Sequence, residues 1–169
     1  VTRRILLVGM MGAGKTTVGQ LTARELGWDY LDSDAEVEAE TGATVPEIFA
    51  RGGETAFREA EARALRAACA RASNVVVSVA GGAVLRPENR TLIAASGTVI
   101  WLRAQVDTLA RRVGSGAGRP LLDGDPLTAL ADLEAVRRPL YAEVADLTID
   151  VDGLPPSAVA ARILEAVAE

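Results

Sequence analysis

The sequence predicts an α/β fold built on a mostly parallel sheet, and three observations point there. Ile5–Val8, Val75–Val79 and Thr98–Leu102 are almost continuous apolar runs, as strands buried on both faces read. Segments with helical spacing or helix start and stop signals lie between them. Strands and helices alternate along the whole chain, with no internal repeat, low-complexity tail or linker.

The elements follow in order. Ile5–Val8 ends in Gly9 and opens the sheet. From Lys15 the apolar residues Val18, Leu21 and Leu26 recur at helical spacing, and Gly27 is placed as a C-cap. Trp28–Leu31 is a short second strand that runs into Asp32-Ser33-Asp34, where Asp34 is expected to cap a helix reaching Gly42. Val45–Arg51 reads as a short helix, Gly52-Gly53 as a break, and Glu54–Ala72 as a long helix rich in Ala, Glu and Arg. Val75–Val79 leads into Ala80-Gly81-Gly82. Pro87–Ala95 starts with Pro, where the missing N–H does no harm. Thr98–Leu102 is a strand and Val106–Val113 a helix. The glycines at 114, 116 and 118 suit neither, and a flexible lid is expected over about 113–125. Leu127–Val144 is helical, interrupted at Arg137-Arg138-Pro139. Leu147–Val151 is a strand, and Ser157–Val167 a final amphipathic helix.

A chain of 169 residues suits a single domain over 1–169, large enough to bury a core without staples. Its 18 basic residues are 17 Arg and one lysine, Lys15, and there is no histidine. That excludes a Ser-His-Asp or Cys-His relay, a histidine metal ligand and an imidazole base. Acid–base work falls to carboxylates, arginine or the single lysine. The net charge of −5 argues against binding nucleic acid or anionic lipid. Anionic ligands require a local arginine cluster. The one cysteine, Cys69, permits no internal disulfide and reads as a small core residue, consistent with a cytoplasmic protein. No apolar run is long enough to span a membrane.

Gly9-Met10-Met11-Gly12-Ala13-Gly14-Lys15-Thr16 fits the phosphate-binding loop G-x-x-x-x-G-K-[ST] at every fixed position, with a buried strand before it and a helix after it. Glycines permit a backbone that side chains would block, and the amides of Gly12, Ala13, Gly14, Lys15, Thr16 and Thr17 are expected to hold ATP phosphates. Lys15 brings a compact, mobile cation to the β- and γ-phosphates, in a chain that uses arginine everywhere else. The Thr16 hydroxyl is a candidate Mg²⁺ ligand. Asp32 and Asp34 end the second strand at the ligand-facing edge of an α/β sheet, Asp32 toward Mg²⁺ and Asp34 toward an acceptor.

The remaining signals are weak singly. Arg58 reads as a surface arginine with an i, i+3 partner in Glu61. Ala80-Gly81-Gly82 offers exposed amides after a strand. Gly118-Arg119-Pro120-Leu121-Leu122 places an arginine on the expected lid, and Arg137 precedes Pro139-Leu140-Tyr141. In this order and spacing the chain closely resembles the shikimate kinases, over essentially its whole length. The resemblance implies a three-layer α/β/α fold of P-loop NTPase type, with a five-stranded parallel sheet of order 2-3-1-4-5 and acceptor-binding helices over about 33–62. It implies transfer of the γ-phosphate of ATP to the 3-hydroxyl of shikimate, by a monomer. Asp34 matches the residue that binds the ring hydroxyls and is the favoured base. Arg58 and Arg137 match the arginines on the acceptor carboxylate, with Gly81 and Gly82 assisting. Arg119 matches the lid arginine and Arg111 a residue stacked on adenine. Thr16 and Asp32 match the Mg²⁺ site.

One position departs from the pattern: Ala80 stands where the family usually has a first of three glycines. Ala80 is expected in the β region, with only Gly81 or Gly82 in a glycine-only conformation. A gluconate kinase would share the loop and a sugar-acid acceptor, but not Asp34, Arg58 and Arg137 in this order. A GTPase switch needs an Asn-Lys-x-Asp motif, which a chain whose one lysine is Lys15 cannot contain.

Overall fold

A computed structural model describes residues 3–114 and 125–169. The expected lid, including Arg119, falls almost entirely outside them. The described elements run β1 (Arg4–Val8), α1 (Lys15–Leu26), β2 (Asp29–Asp32), α2 (Ser33–Thr41), α3 (Val45–Cys69), β3 (Val75–Ser78), a 3-10 turn (Ala83–Leu85), α4 (Pro87–Ser96), β4 (Thr98–Arg103), α5 (Val106–Val113), α6 (Pro126–Val144), β5 (Leu147–Asp150) and α7 (Pro156–Ala168).

The strands form one parallel sheet of order β2-β3-β1-β4-β5. Ile5, Leu6, Leu7 and Val8 are buried, as are Val75, Val76 and Val77 beside them. That is why these strands read as unbroken apolar runs. Helix α1 packs on α7 and against β3, while α4 contacts both α3 and α6. Cys69 joins the buried core. The register sets Asp32 of β2 and Leu7 of β1 level with Ser78 of β3. The three segments that leave β1, β2 and β3 therefore emerge side by side at the carboxyl edge of the sheet, where open α/β sheets place their ligands.

A second, smaller cluster of buried residues lies under α2 and α3: Val37, Ala43, Ile48, Phe57, Ala60 and Ala64. The Gly52-Gly53 break is present. Gly53 takes φ 69° and ψ −167°, kinking α3 between its first turns and its long remainder. Gly27 caps α1 in the left-handed region, as its placement implied.

Three local readings need correction. Asp32, not Asp34, caps α2: its Oδ1 accepts from the backbone N–H of Asp34 (2.9 Å) and Ala35 (3.3 Å). Asp32 has extended dihedrals (φ −110°, ψ 120°), so one residue both ends the strand and opens the helix. Pro139 does not interrupt α6, which is one helix from Pro126 to Val144. Neither Gly81 nor Gly82 has positive φ, and Gly82 sits at φ −90°, ψ −1°. Ala80 itself does not have positive φ, in common with every described residue other than glycine.

Candidate active site

The loop between β1 and α1 is shaped by glycine. Gly9, Gly12 and Gly14 have φ of 145°, 84° and 96°. Gly14 is the N-cap of α1 and supplies no side-chain cap, so the amides at the start of that helix face the cleft without one. Lys15 curls back over the loop, its Nζ donating to the carbonyls of Gly9 (2.6 Å) and Met10 (3.0 Å). Ala13 is an exception among the expected phosphate-binding residues. It is buried, and its N–H closes a turn onto Met10 O (3.1 Å). Thr16 Oγ1 donates to Asp32 Oδ2 at 3.1 Å, which brings two hard oxygen groups together under the loop. The Lys15 carbonyl accepts from Ser78 Oγ, which in turn accepts from the Tyr30 hydroxyl, joining the loop to β2 and β3.

From the loop a cleft of about 610 Å³ extends toward α2, α3 and α6. Lys15, Thr16, Thr17, Asp32 and Asp34 border it, and so do Arg58, Gly81, Gly82 and Arg137. The loop glycines Gly12 and Gly14 are there as well. Arg111 is not among its lining residues. The Arg111 guanidinium donates to Thr108 Oγ1, on its own helix, at 3.3 Å. The neighbouring Arg112 takes the place at the cleft and donates to Gly12 O at 3.2 Å. One step around α5 separates the two side chains.

Two of the arginines lining the cleft are held out of water. Arg137 is 1% exposed, and neither its Nε nor its Nη1 has a hydrogen-bond partner among the described residues. A buried guanidinium with unfilled donors is costly unless an anion completes it. Arg58 is 7% exposed and differs from the solvated arginine that its sequence setting implied. Its Nη1 donates to both carboxylate oxygens of Glu61 (2.9 and 3.0 Å) and its Nη2 to Glu54 (3.2 Å). Glu61 is buried too. Burial pushes its carboxyl up to about 7, although the adjacent Arg58 pulls the other way, and the Asp34 carboxylate adds to the rise. The i, i+3 spacing revealed the pair but not its burial.

Gly81 and Gly82 owe their identity to space. A Cβ on Gly82 would lie 2.6 Å from Arg58 Cζ, and one on Gly81 would lie 3.2 Å from Gly9 O and 3.3 Å from Arg137 Nη1. Tyr141, unnoticed as a site residue in the sequence, donates its hydroxyl to Gly81 O at 2.6 Å. Phe49 and Phe57, with centroids 5.0 Å apart, and Val45 form an apolar wall of the same cleft.

A phosphate-binding loop at the carboxyl edge of a parallel sheet, facing a carboxylate and two buried arginines, defines a P-loop phosphotransferase for a small anionic acceptor. Comparison with known proteins makes the assignment particular. A family model described as "Shikimate kinase" matches residues 11–168. The shikimate kinase of Pseudomonas syringae pv. tomato is 45% identical over 168 residues, covering 99% of this chain and 97% of that protein. A solved structure of shikimate kinase from Acinetobacter baumannii in complex with shikimate is 40% identical, with a TM-score of 0.95 over 99% of this chain and 93% of the other. That from Bacteroides thetaiotaomicron is 31% identical, with a TM-score of 0.88 over the full length of both chains. The chain belongs to the shikimate kinase family.

Proposed function

We propose that this chain transfers the γ-phosphate of ATP to the 3-hydroxyl of shikimate, giving shikimate 3-phosphate and ADP. The observation that carries the reading is the pair of buried arginines, Arg58 and Arg137, that line the same cleft as the phosphate loop. Shikimate is a small carboxylate with three vicinal hydroxyls. Planar guanidinium groups suit its carboxylate, and the unfilled Nε and Nη1 of Arg137 supply donors for it. Asp34 binds the ring hydroxyls and takes the proton as the hydroxyl oxygen bonds to the γ-phosphorus and the bond to the departing ADP breaks. Lys15 and Arg119 place positive charge around the transferring group. Arg112, beside the loop, is better placed for the nucleotide than Arg111.

The oxygen pair of Thr16 and Asp32 fits Mg²⁺, a hard cation usually held by one or two protein oxygens, waters and substrate phosphates. Bound there, it would neutralise charge on the phosphates. Of the described large apolar side chains only Leu127 and Val136 are prominently exposed, which favours a monomer. We assign the protein to the cytoplasm, in keeping with its single cysteine. No helix among the described residues is long and apolar enough to cross a membrane.

A coupled ADP-release assay with shikimate, gluconate and nucleoside monophosphates as acceptors tests the reading. Shikimate should accelerate turnover far above the acceptor-free rate. A rate no faster with shikimate than without it would sink the assignment.

A further inference from the structure

The turn Ala80-Gly81-Gly82 forms one wall of the acceptor end, yet it lies beyond the last residue of β3 and is not held by the sheet ladder. Two buried side chains hold it instead. Ser33 Oγ accepts from the Ala80 N–H at 2.7 Å, and the Tyr141 hydroxyl donates to the Gly81 carbonyl at 2.6 Å. Ser33 and Tyr141 are each 1% exposed. Their positions in the chain are as telling as the bonds. Ser33 is the first residue of α2, next to Asp34. Tyr141 lies one helical turn beyond Arg137 on α6, with its ring against Trp101 at 5.8 Å between centroids. The helix that presents the carboxylate and the helix that presents the buried guanidinium thus each hold one end of the same turn.

We propose that Ser33 and Tyr141 are positioning residues for the acceptor: they lock the Ala80–Gly82 turn to α2 and α6 and so set the separation between Asp34 and the carboxylate-binding end of the cleft. The proposal rests on the shikimate reading above. Neither side chain lines the cleft: Ser33 acts through the turn, and Tyr141 through the turn and through Arg137, with which its hydroxyl also interacts. Both bonds are buried, so water cannot replace them at little cost, and losing either leaves the Ala80 N–H or the Gly81 carbonyl short of a partner. The turn also touches both arginines at close range, through the Gly82 and Gly81 approaches to Arg58 and Arg137. The turn also borders the phosphate loop at one point, Gly81 against Gly9 O, but its contacts with the two arginines are the ones that bear on the acceptor.

The test uses the full-length protein and the variants Tyr141→Phe, Ser33→Ala and Ser33→Thr. Shikimate Kd is measured by calorimetry without nucleotide, alongside KM for both substrates. Tyr141→Phe and Ser33→Ala should each raise the shikimate Kd and KM tenfold or more while the ATP KM stays within twofold. Ser33→Thr, which keeps the hydroxyl, should restore shikimate binding toward the parent value. Folded variants with parental shikimate Kd, or with equal losses for ATP and shikimate, would overturn the proposal. Should Tyr141→Phe melt too low to assay, the contrast between Ser33→Ala and Ser33→Thr decides, and equal shikimate affinity in those two overturns it. A parent protein that binds no shikimate overturns the acceptor reading and this proposal together, whereas shikimate binding that is indifferent to all three substitutions overturns this proposal alone.

Discussion

The guanidinium of Arg58 occupies the space that a side chain on Gly82 would need. A Cβ there would stand 2.6 Å from Arg58 Cζ, although the Gly82 backbone itself is open to any residue. Glycine is required by the arginine rather than by the turn. Gly82→Ala should therefore push Arg58 off its position and raise the shikimate KM tenfold or more, a loss of at least ~1.4 kcal/mol in binding. Gly81→Ala, whose nearest conflict is at 3.2 Å, should cost less. Equal KM values for parent and Gly82→Ala in a steady-state assay would contradict this account.

Asp32 divides its carboxylate between two tasks, Oδ1 to the start of α2 and Oδ2 to Thr16. Asparagine can still cap the helix but carries no charge. Asp32→Asn should keep the melting temperature while weakening the apparent Mg²⁺ affinity by about tenfold, ~1.4 kcal/mol. Asp32→Ala should lose the cap as well, at about 1 kcal/mol of stability. Calorimetric melts and Mg²⁺ titrations of turnover separate the two effects, and identical behaviour of the two variants would refute the division of labour.

Burial raises the Glu61 carboxyl to about 7, from its ordinary value of 4.5. Between those values the folded chain holds the proton more tightly than the unfolded chain. Glu61 therefore contributes stability that is fully present below about pH 4.5 and is lost as pH rises through about 7. Glu61→Gln cannot titrate and should flatten that fall. Melting curves of the parent and of Glu61→Gln taken from pH 4 to 8 should converge or cross rather than run parallel, and parallel curves would count against the raised carboxyl.

If Asp34 takes the hydroxyl proton, Asp34→Asn should keep the fold and lose about 10²–10⁴ in kcat. Arg58→Ala and Arg137→Ala should act mainly on shikimate KM, and Lys15→Ala and Arg119→Ala mainly on kcat. A near-normal kcat in Asp34→Asn would remove the base from the mechanism.

The strands were legible in the sequence because a sheet covered on both faces leaves unbroken apolar runs such as Val75–Val77. The phosphate loop was legible because its chemistry is local. What escaped the sequence depends on residues far apart in the chain. The cap of α2 passed to Asp32 because the strand's extended dihedrals continue to that residue. Pro139 has the look of a breaker in the sequence, yet α6 continues through it, packed against α4, α5 and the 3-10 turn. Arg58 and Glu61 showed their spacing but not their burial, which comes from the fold around α3. Arg112 and not Arg111 reached the cleft through the rotational phase of α5, one residue's difference that charge pattern alone does not resolve.

The small cluster beneath α2 and α3 shares no buried residue with the main core. Its members include Phe57, next to Arg58, and Val37, one turn from Asp34. The α2–α3 side of the acceptor end therefore rests on its own foundation, while the phosphate loop, the Ala80–Gly82 turn and Tyr141 rest on the main core. Local opening of the first can occur at a lower free energy than unfolding of the second. Mutational drift is partitioned in the same way: changes at Val37 or Ile48 can retune how the acceptor is held while the phosphate loop stays as it is.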